Sequence, residues 1–299
     1  SMLSLPLSLE GVGGALNLDK KKMSEGKDLI RYFCMPCKPT KANGGRTRNL
    51  PSDAPEKWEL FKTYCIRDVD VEKQIRSKLA KFPIPDREQE LYCMDQRIND
   101  RGIMVDRELI SHAVACDLLY KEAASKRAYE ISGLENPNSV SQLKDWLNEK
   151  GIEVDSLAKA AVEELVEKTE GEVSEMMKLR LSMSKTSVKK YEAMERSVCP
   201  DGRVHGLLQF YGANRTGRWA GRLVQIHNLP QNHMEDLELA RSIVKEGRYD
   251  LVELLYDSTP EVLSELIRTA FVAKPGCRFI VSDFSAIEAR AMGYLAGEG

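Results

Sequence analysis

Through most of this chain apolar residues recur at steps of three and four, the period of an amphipathic helix rather than of a strand. A short helix weakened by glycine is predicted over residues 8–16. Residues 38–51, polar and carrying Gly44-Gly45, read as a surface loop. A long helix follows over 55–81, where Trp58, Phe61, Cys65, Val69 and Glu72 step along one face. Pro83 and Pro85 end it and mark a boundary. Residues 86–99 give another helix, with Leu91, Met94 and Ile98 aligned. Arg101-Gly-Ile-Met-Val-Asp106 reads as a turn or short strand, and Asp106 can cap a long helix reaching to about Ile131. Ser139 and Gln142 have capping-box spacing, for a helix that Gly151 closes. Two more helices are predicted over 155–168 and 173–197. In the second, Met176, Met177, Met183 and Met194 read as core filler.

From Cys199 the texture changes. Residues 204–211 read as strand, and 212–232 as a loop rich in glycine and arginine. Helices return over 235–247, 251–256 and 260–269. The last pattern is Phe279-Ile-Val-Ser-Asp-Phe-Ser-Ala-Ile-Glu-Ala-Arg290, which runs apolar, then acidic, then amphipathic. It predicts a short buried strand at 279–281, with Asp283 just past its end and Ser285 capping a following helix. The fold class that emerges is mainly α with minor β.

Composition narrows this picture little. The chain has 299 residues, 42% hydrophobic and 30% charged, with a net charge of −2. These values describe an ordinary soluble protein without a global basic field. No run of apolar residues is long enough for a membrane span, and the apolar N-terminus lacks the basic start of a signal peptide. The seven cysteines are scattered, which suits reduced thiols in a cytoplasm. Cys34-Met-Pro-Cys37 lacks two further ligands for zinc and reads as packing.

Candidate chemistry lies in two places. A carboxylate such as Asp283, between a strand end and a helix start, is a rigid place to hold a divalent cation. Between Gly202 and Met234 there is no acidic residue, while Arg203, Arg215, Arg218 and Arg222 alternate with Phe210, Tyr211 and Trp219. Arginines separated by glycine can approach phosphates, and Asn228 and Gln231 can bond sugars, phosphates or base edges. On composition alone, a solvated flexible loop explains the same residues.

Resemblance tilts the balance. Asn214-Arg-Thr-Gly-Arg-Trp-Ala-Gly-Arg222, followed by Asn228-Leu-Pro-Gln-Asn232, resembles a primer-template motif of the family A DNA polymerases, the group of bacterial DNA polymerase I. The second element is reordered here, and Trp219 replaces the usual leucine. Ile267-Arg-Thr-Ala-Phe271 and then Ser282-Asp-Phe-Ser-Ala-Ile-Glu-Ala-Arg290 resemble that family's motif A, closest to its phage or prophage branch. Upstream, Tyr64-Cys-Ile-Arg-Asp68 is similar to the third motif of the 3′–5′ proofreading exonuclease. Lys185-Thr-Ser-Val-Lys-Lys-Tyr191 echoes a thumb element.

The resemblance implies three parts: the end of an RNase H-like exonuclease over 1–82, a helical thumb over 83–200, and the beginning of a polymerase palm over 201–299. It implies DNA-directed nucleotidyl transfer with Mg²⁺, or Mn²⁺, on primer-template DNA with deoxynucleoside triphosphates, in a bacterial or phage-infected cytoplasm. Asp283 would be a catalytic metal ligand. Phe284, Glu288 and Arg290 would serve the incoming nucleotide. Arg215, Thr216, Arg218, Arg222, Asn228 and Gln231 would contact DNA. Tyr64 and Asp68 would belong to the exonuclease, with Asp68 a metal ligand. Phe284, Ala286 and Ala289 depart from the family's Tyr, Gln and Leu. The family's second polymerase carboxylate and the first two exonuclease motifs are not recognisable in this sequence, and one carboxylate cannot assemble a two-metal site. The chain is therefore expected to polymerise and proofread poorly or not at all by itself. A non-catalytic DNA-binding module and a remnant nuclease are the alternatives.

Overall fold

The computed structural model describes residues 5–6, 8–18, 26–185, 188–213 and 215–297. They group into two compact units. The first holds the described residues up to Met94 together with Tyr211–Arg218, and the second holds Asp95–Phe210 and the described residues from Trp219 on.

In the first unit, α1 (Leu9–Ala15) starts at Ser8, whose hydroxyl accepts the Gly11 N–H. Then come α2 (Gly26–Cys34), α3 (Pro55–Leu79) and the beginning of α4 (Asp86–Arg101). Helix α2 was not anticipated from the sequence. Leu29, Phe33 and Tyr64 form a small core, with Trp58 and Phe61 packed against it. Phe33 lies edge-on to Trp58 at 5.2 Å and is stacked on Phe61 at 5.5 Å. The buried face of α3 runs through Tyr64 and Val71, so the predicted stripe is rotated: Cys65 and Val69 face solvent. An aromatic cluster outweighs the aliphatic register, because large rings bury more area.

The second unit is built around α5 (Arg107–Ser132). It continues through α6 (Val140–Glu149), α7 (Lys159–Lys168), α8 (Gly171–Met183) and α9 (Lys189–Ser197). After these come α10 (Leu237–Lys245), α11 (Tyr249–Leu255), α12 (Thr259–Leu266) and α13 (Ile287–Leu295). The predicted helix over 173–197 is thus two helices. Of the intended capping box, Ser139 stands at the N-cap but makes no capping bond; its hydroxyl pairs with that of Ser141.

Strand β1 (Ile103–Met104) pairs antiparallel with β2 (Arg203–Val204), in the register Ile103 to Val204. A second small sheet joins β3 (Leu208–Ala213) and β4 (Arg218–Gly221). The strand predicted over 204–211 is therefore split at residues 205–207, and part of the predicted loop is strand β4. The fold is mainly helical with two small antiparallel sheets.

Helix α5 carries two cores. Its first half packs Leu109, Ile110, Ala113 and Cys116 with α9, α10 and α12. Its second half packs Ala124 and Ala128 with Leu143, Trp146, Met176 and Met177. All four methionines read as core filler are buried. Tyr191 is fully buried and donates its hydroxyl to the Leu263 carbonyl at 2.8 Å, while burial pushes its phenol pKa up. Asp106 caps α5, accepting the Leu109 N–H at 3.2 Å. Burial works against ionising Asp106, but bonds from Lys245 at 2.9 Å, the Leu109 N–H and Arg241 at 2.5 Å hold its carboxyl below the usual range.

Candidate nucleic-acid interface

The arginine segment is structured, not a loose loop. The turn of the β3–β4 hairpin carries Arg215, Thr216 and Gly217. Gly217 sits at φ +68°, and a Cβ there would lie 2.7 Å from the Tyr211 ring, so this glycine both makes the turn and admits the ring. Along β4 the exposed Arg218 alternates with the half-buried Trp219. A Cβ on Gly221 would come within 2.9 Å of the Gln225 Cα, so the chain folds back on itself tightly there. Asn214, first residue of the motif, lies outside the described residues, as do Thr186 and Ser187 of the thumb-like stretch.

Beyond the hairpin, backbone bonds and side chains from other elements fix the segment. The Arg222 N–H donates to the Leu207 carbonyl at 2.8 Å, which leaves the guanidinium exposed. Lys190 on α9 donates to the Val224 carbonyl at 3.2 Å, and burial pushes its ammonium below the usual lysine range. Arg268 donates to the Pro230 and Leu229 carbonyls at 2.5 and 2.9 Å. Glu265 accepts the N–H groups of His233 and Met234 at 2.5 and 3.3 Å. Between these clamps Asn228 and Gln231 are exposed. Tyr211, Leu223 and Gln225 all have positive φ, between 54° and 55°, a strain of about 1–2 kcal/mol each that surrounding contacts must hold in place.

The sequence missed Lys190, Glu265 and Arg268 as clamps, since each meets its partner across 31 to 39 residues. It missed Asp95 and Asn99 as well. Asp95, only 2% exposed, accepts the Trp219 indole N–H at 2.8 Å. The position on α4 predicted to turn Leu91, Met94 and Ile98 inward instead buries a carboxylate. The only available signal was a polar residue at a core-compatible helical position.

The motif A segment is placed very differently. The predicted strand at 279–281 does not form, and Ile280 and Val281 are 86% and 91% exposed. A strand needs a neighbour for its N–H and C=O groups, and among the described residues none pairs with it. Ser285 does not cap α13; the N-cap is Ala286, at φ +51°. Asp283, Phe284, Glu288 and Arg290 are all exposed, and the Asp283 carboxylate accepts the Phe284 N–H at 2.8 Å. Among the described residues no three His, Cys, Asp or Glu side chains converge as a metal site. Asp283 offers one carboxylate, so these residues do not by themselves form a two-cation centre.

In the first unit, Tyr64 and Asp68 do meet, one helical turn apart. The Tyr64 hydroxyl bonds the Asp68 carboxylate, and this bond, with burial, pushes the phenol up to about 12.

Comparison with known proteins agrees with the motifs. The chain is 57% identical over 297 residues to a DNA polymerase of Bacillus phage SP02, covering 99% of this chain and 46% of that protein. Over almost its whole length the chain is thus similar to part of a phage DNA polymerase. It spans less than half the length of that phage relative. Among solved structures it matches the polymerase domain of Pol1 from M. smegmatis, in complex with DNA primer-template and dNTP, with a TM-score of 0.51 over 93% of this chain and 43% of that one. At 19% identity this likeness speaks for the fold alone. No family model matches. No described helix is long and apolar enough to cross a membrane.

Proposed function

We propose that this chain is part of a template-directed DNA polymerase and carries a portion of its primer-template contacts together with one catalytic carboxylate. The observation that carries the reading is the 57% identity over 297 residues to a phage DNA polymerase, in a chain that keeps the arginine segment and motif A in order. Arg215, Thr216, Arg218 and Arg222 are exposed or at a turn, as phosphate-contacting groups must be, and Asn228 and Gln231 are exposed on a segment fixed by Arg268 and Glu265. Asp283 is the proposed polymerase metal ligand, with Phe284, Glu288 and Arg290 beside the incoming nucleotide. Tyr64 and Asp68 are the proposed remnant of the proofreading site, and residues 1–82 the end of that domain. In the whole enzyme the cation is Mg²⁺, with Mn²⁺ as substitute. This chain contributes one carboxylate to each centre.

The test is a salt titration of primer-template binding together with primer extension in Mg²⁺ or Mn²⁺. The expected result is salt-sensitive binding, weakened by Arg218→Ala, without extension. Absence of binding at low salt would overturn the reading. Extension abolished by Asp283→Ala would show that a second carboxylate reaches the site after all.

A further inference from the structure

One buried acid sits behind the arginine segment, where a negative charge opposes DNA binding unless it has another duty. Asp95 is the only buried residue of α4. Its Oδ1 accepts the Trp219 indole N–H at 2.8 Å, and its Oδ2 accepts amide N–H groups from Asn99 at 3.1 Å and Gln96 at 3.0 Å. Asn99, one turn along, grips the next segment at two points. Its Nδ2 donates to the Leu208 carbonyl at 3.0 Å, and its Oδ1 accepts the Leu208 N–H at 2.9 Å, as a neighbouring strand would. The Asn99 carbonyl also accepts the Gly206 N–H at 3.3 Å. Trp219 packs edge-on against Phe210, with ring centroids 5.5 Å apart. All of these residues lie in the second unit.

The chemistry selects for a carboxylate. Trp219 Nε1, Asn99 Nδ2 and Gln96 Nε2 are all donors, and only an ionised acid accepts on both oxygens. An amide at this position would turn a donor toward a donor. A buried carboxylate without its partners is costly, so the network has one low-energy arrangement. Trp219 supplies the donor that makes this acid usable. Because Leu208 begins β3, Trp219 lies in β4, and the Arg222 N–H just past β4 is bonded to Leu207, the same network fixes where the Arg222 guanidinium leaves the surface.

From this geometry we infer that Asp95 is a positioning residue for nucleic-acid binding, acting through Trp219 and Asn99 to aim Arg222 at a DNA phosphate. The inference rests on the polymerase reading above and adds to it a group that touches no DNA.

The experiment exploits a conflict of sign. If Asp95 acted on DNA only as a charge, Asp95→Asn would tighten primer-template binding, since it removes a repelling charge. As a positioning group, its loss weakens binding about tenfold at fixed salt and lowers the salt slope by about 0.9, one phosphate contact. In an Arg222→Ala background the further loss is less than about twofold, because the contact has already gone. The Trp219 indole N–H resonance shifts and exchanges faster in Asp95→Asn, whereas Arg222→Ala leaves it in place. Trp219→Phe, which keeps a ring against Phe210 but has no N–H, reproduces the affinity loss and serves if the aspartate variant does not fold. Unchanged or tighter binding in folded Asp95→Asn or Trp219→Phe overturns the inference alone, as does a loss fully additive with Arg222→Ala. A wild-type chain that does not bind primer-template overturns the polymerase reading and this inference with it.

Discussion

The arginine segment and the motif A segment lie about fifty residues apart in the sequence, and each carries residues of a recognised motif. The first is fixed by Asn99, Trp219, Lys190, Glu265 and Arg268, each reaching it from a distant part of the sequence or tying it to one. The second keeps Asp283 on exposed backbone, with Ile280 and Val281 turned to solvent. Both motifs are equally legible as strings of residues. The difference teaches that a motif states which groups the chemistry uses, while long-range partners decide whether those groups are held. A guanidinium on a braced hairpin is preorganised, and a carboxylate on unpaired backbone is not.

The largest test of this contrast is a core truncation beneath the braced segment. Leu266→Ala, at a fully buried position next to the turn that carries Arg268, is expected to lower stability by about 2–5 kcal/mol in denaturant unfolding. It should also loosen residues 229–234 in hydrogen exchange. Arg268→Ala should have a more local effect. Two carbonyls lose their donor, at about 1 kcal/mol for partly solvated bonds, and exchange should quicken around His233 with little change at Tyr191. Equal exchange throughout the unit would show that no separate clamp exists.

Acid supplies a third probe. The Asp106 carboxyl is held below its ordinary value, so its stabilisation is fully present above the unfolded-state pKa of about 3.9 and is lost as pH falls toward the folded-state value. The unfolding midpoint should therefore drop below about pH 4, and the drop should shrink in Asp106→Asn. An identical acid profile in the variant would remove Asp106 from the argument. The smallest effect is expected in the other segment: Val281→Ser, at a 91% exposed position, should change stability by no more than about 0.5 kcal/mol. A loss above 1 kcal/mol by the same measurement would mean that Val281 is packed, and the contrast between the two segments would fall.

Much of the helical framework was readable from local signals. Asp106 as the cap of α5, the stop after α3 at the paired prolines, and the buried methionines of α8 and α9 follow from capping chemistry, backbone restriction and apolar spacing. These depend on neighbours within a few residues, which the sequence displays. The division of the predicted 173–197 helix and the strand within the arginine loop were not readable, because each depends on packing or pairing with distant chain. The candidate groups were legible as residue types: Tyr64 with Asp68, the arginines and Asp283. The supports around them were not, since a buried Asp95 looks in sequence like any acid on a helical surface.

By itself, then, the sequence determined the helical class, the order of the polymerase motifs and the charge pattern that leaves 203–234 free of acid. Only the tertiary structure decided that Asp95 would be buried as the acceptor for Trp219, that Arg268 and Glu265 would clamp the segment after the hairpin, and that residues 279–281 would not become a strand. The physical reason is common to all three. Helical period and capping are settled by bonds spanning about four residues, whereas burial of a charge and formation of a strand depend on partners that only the folded chain brings near.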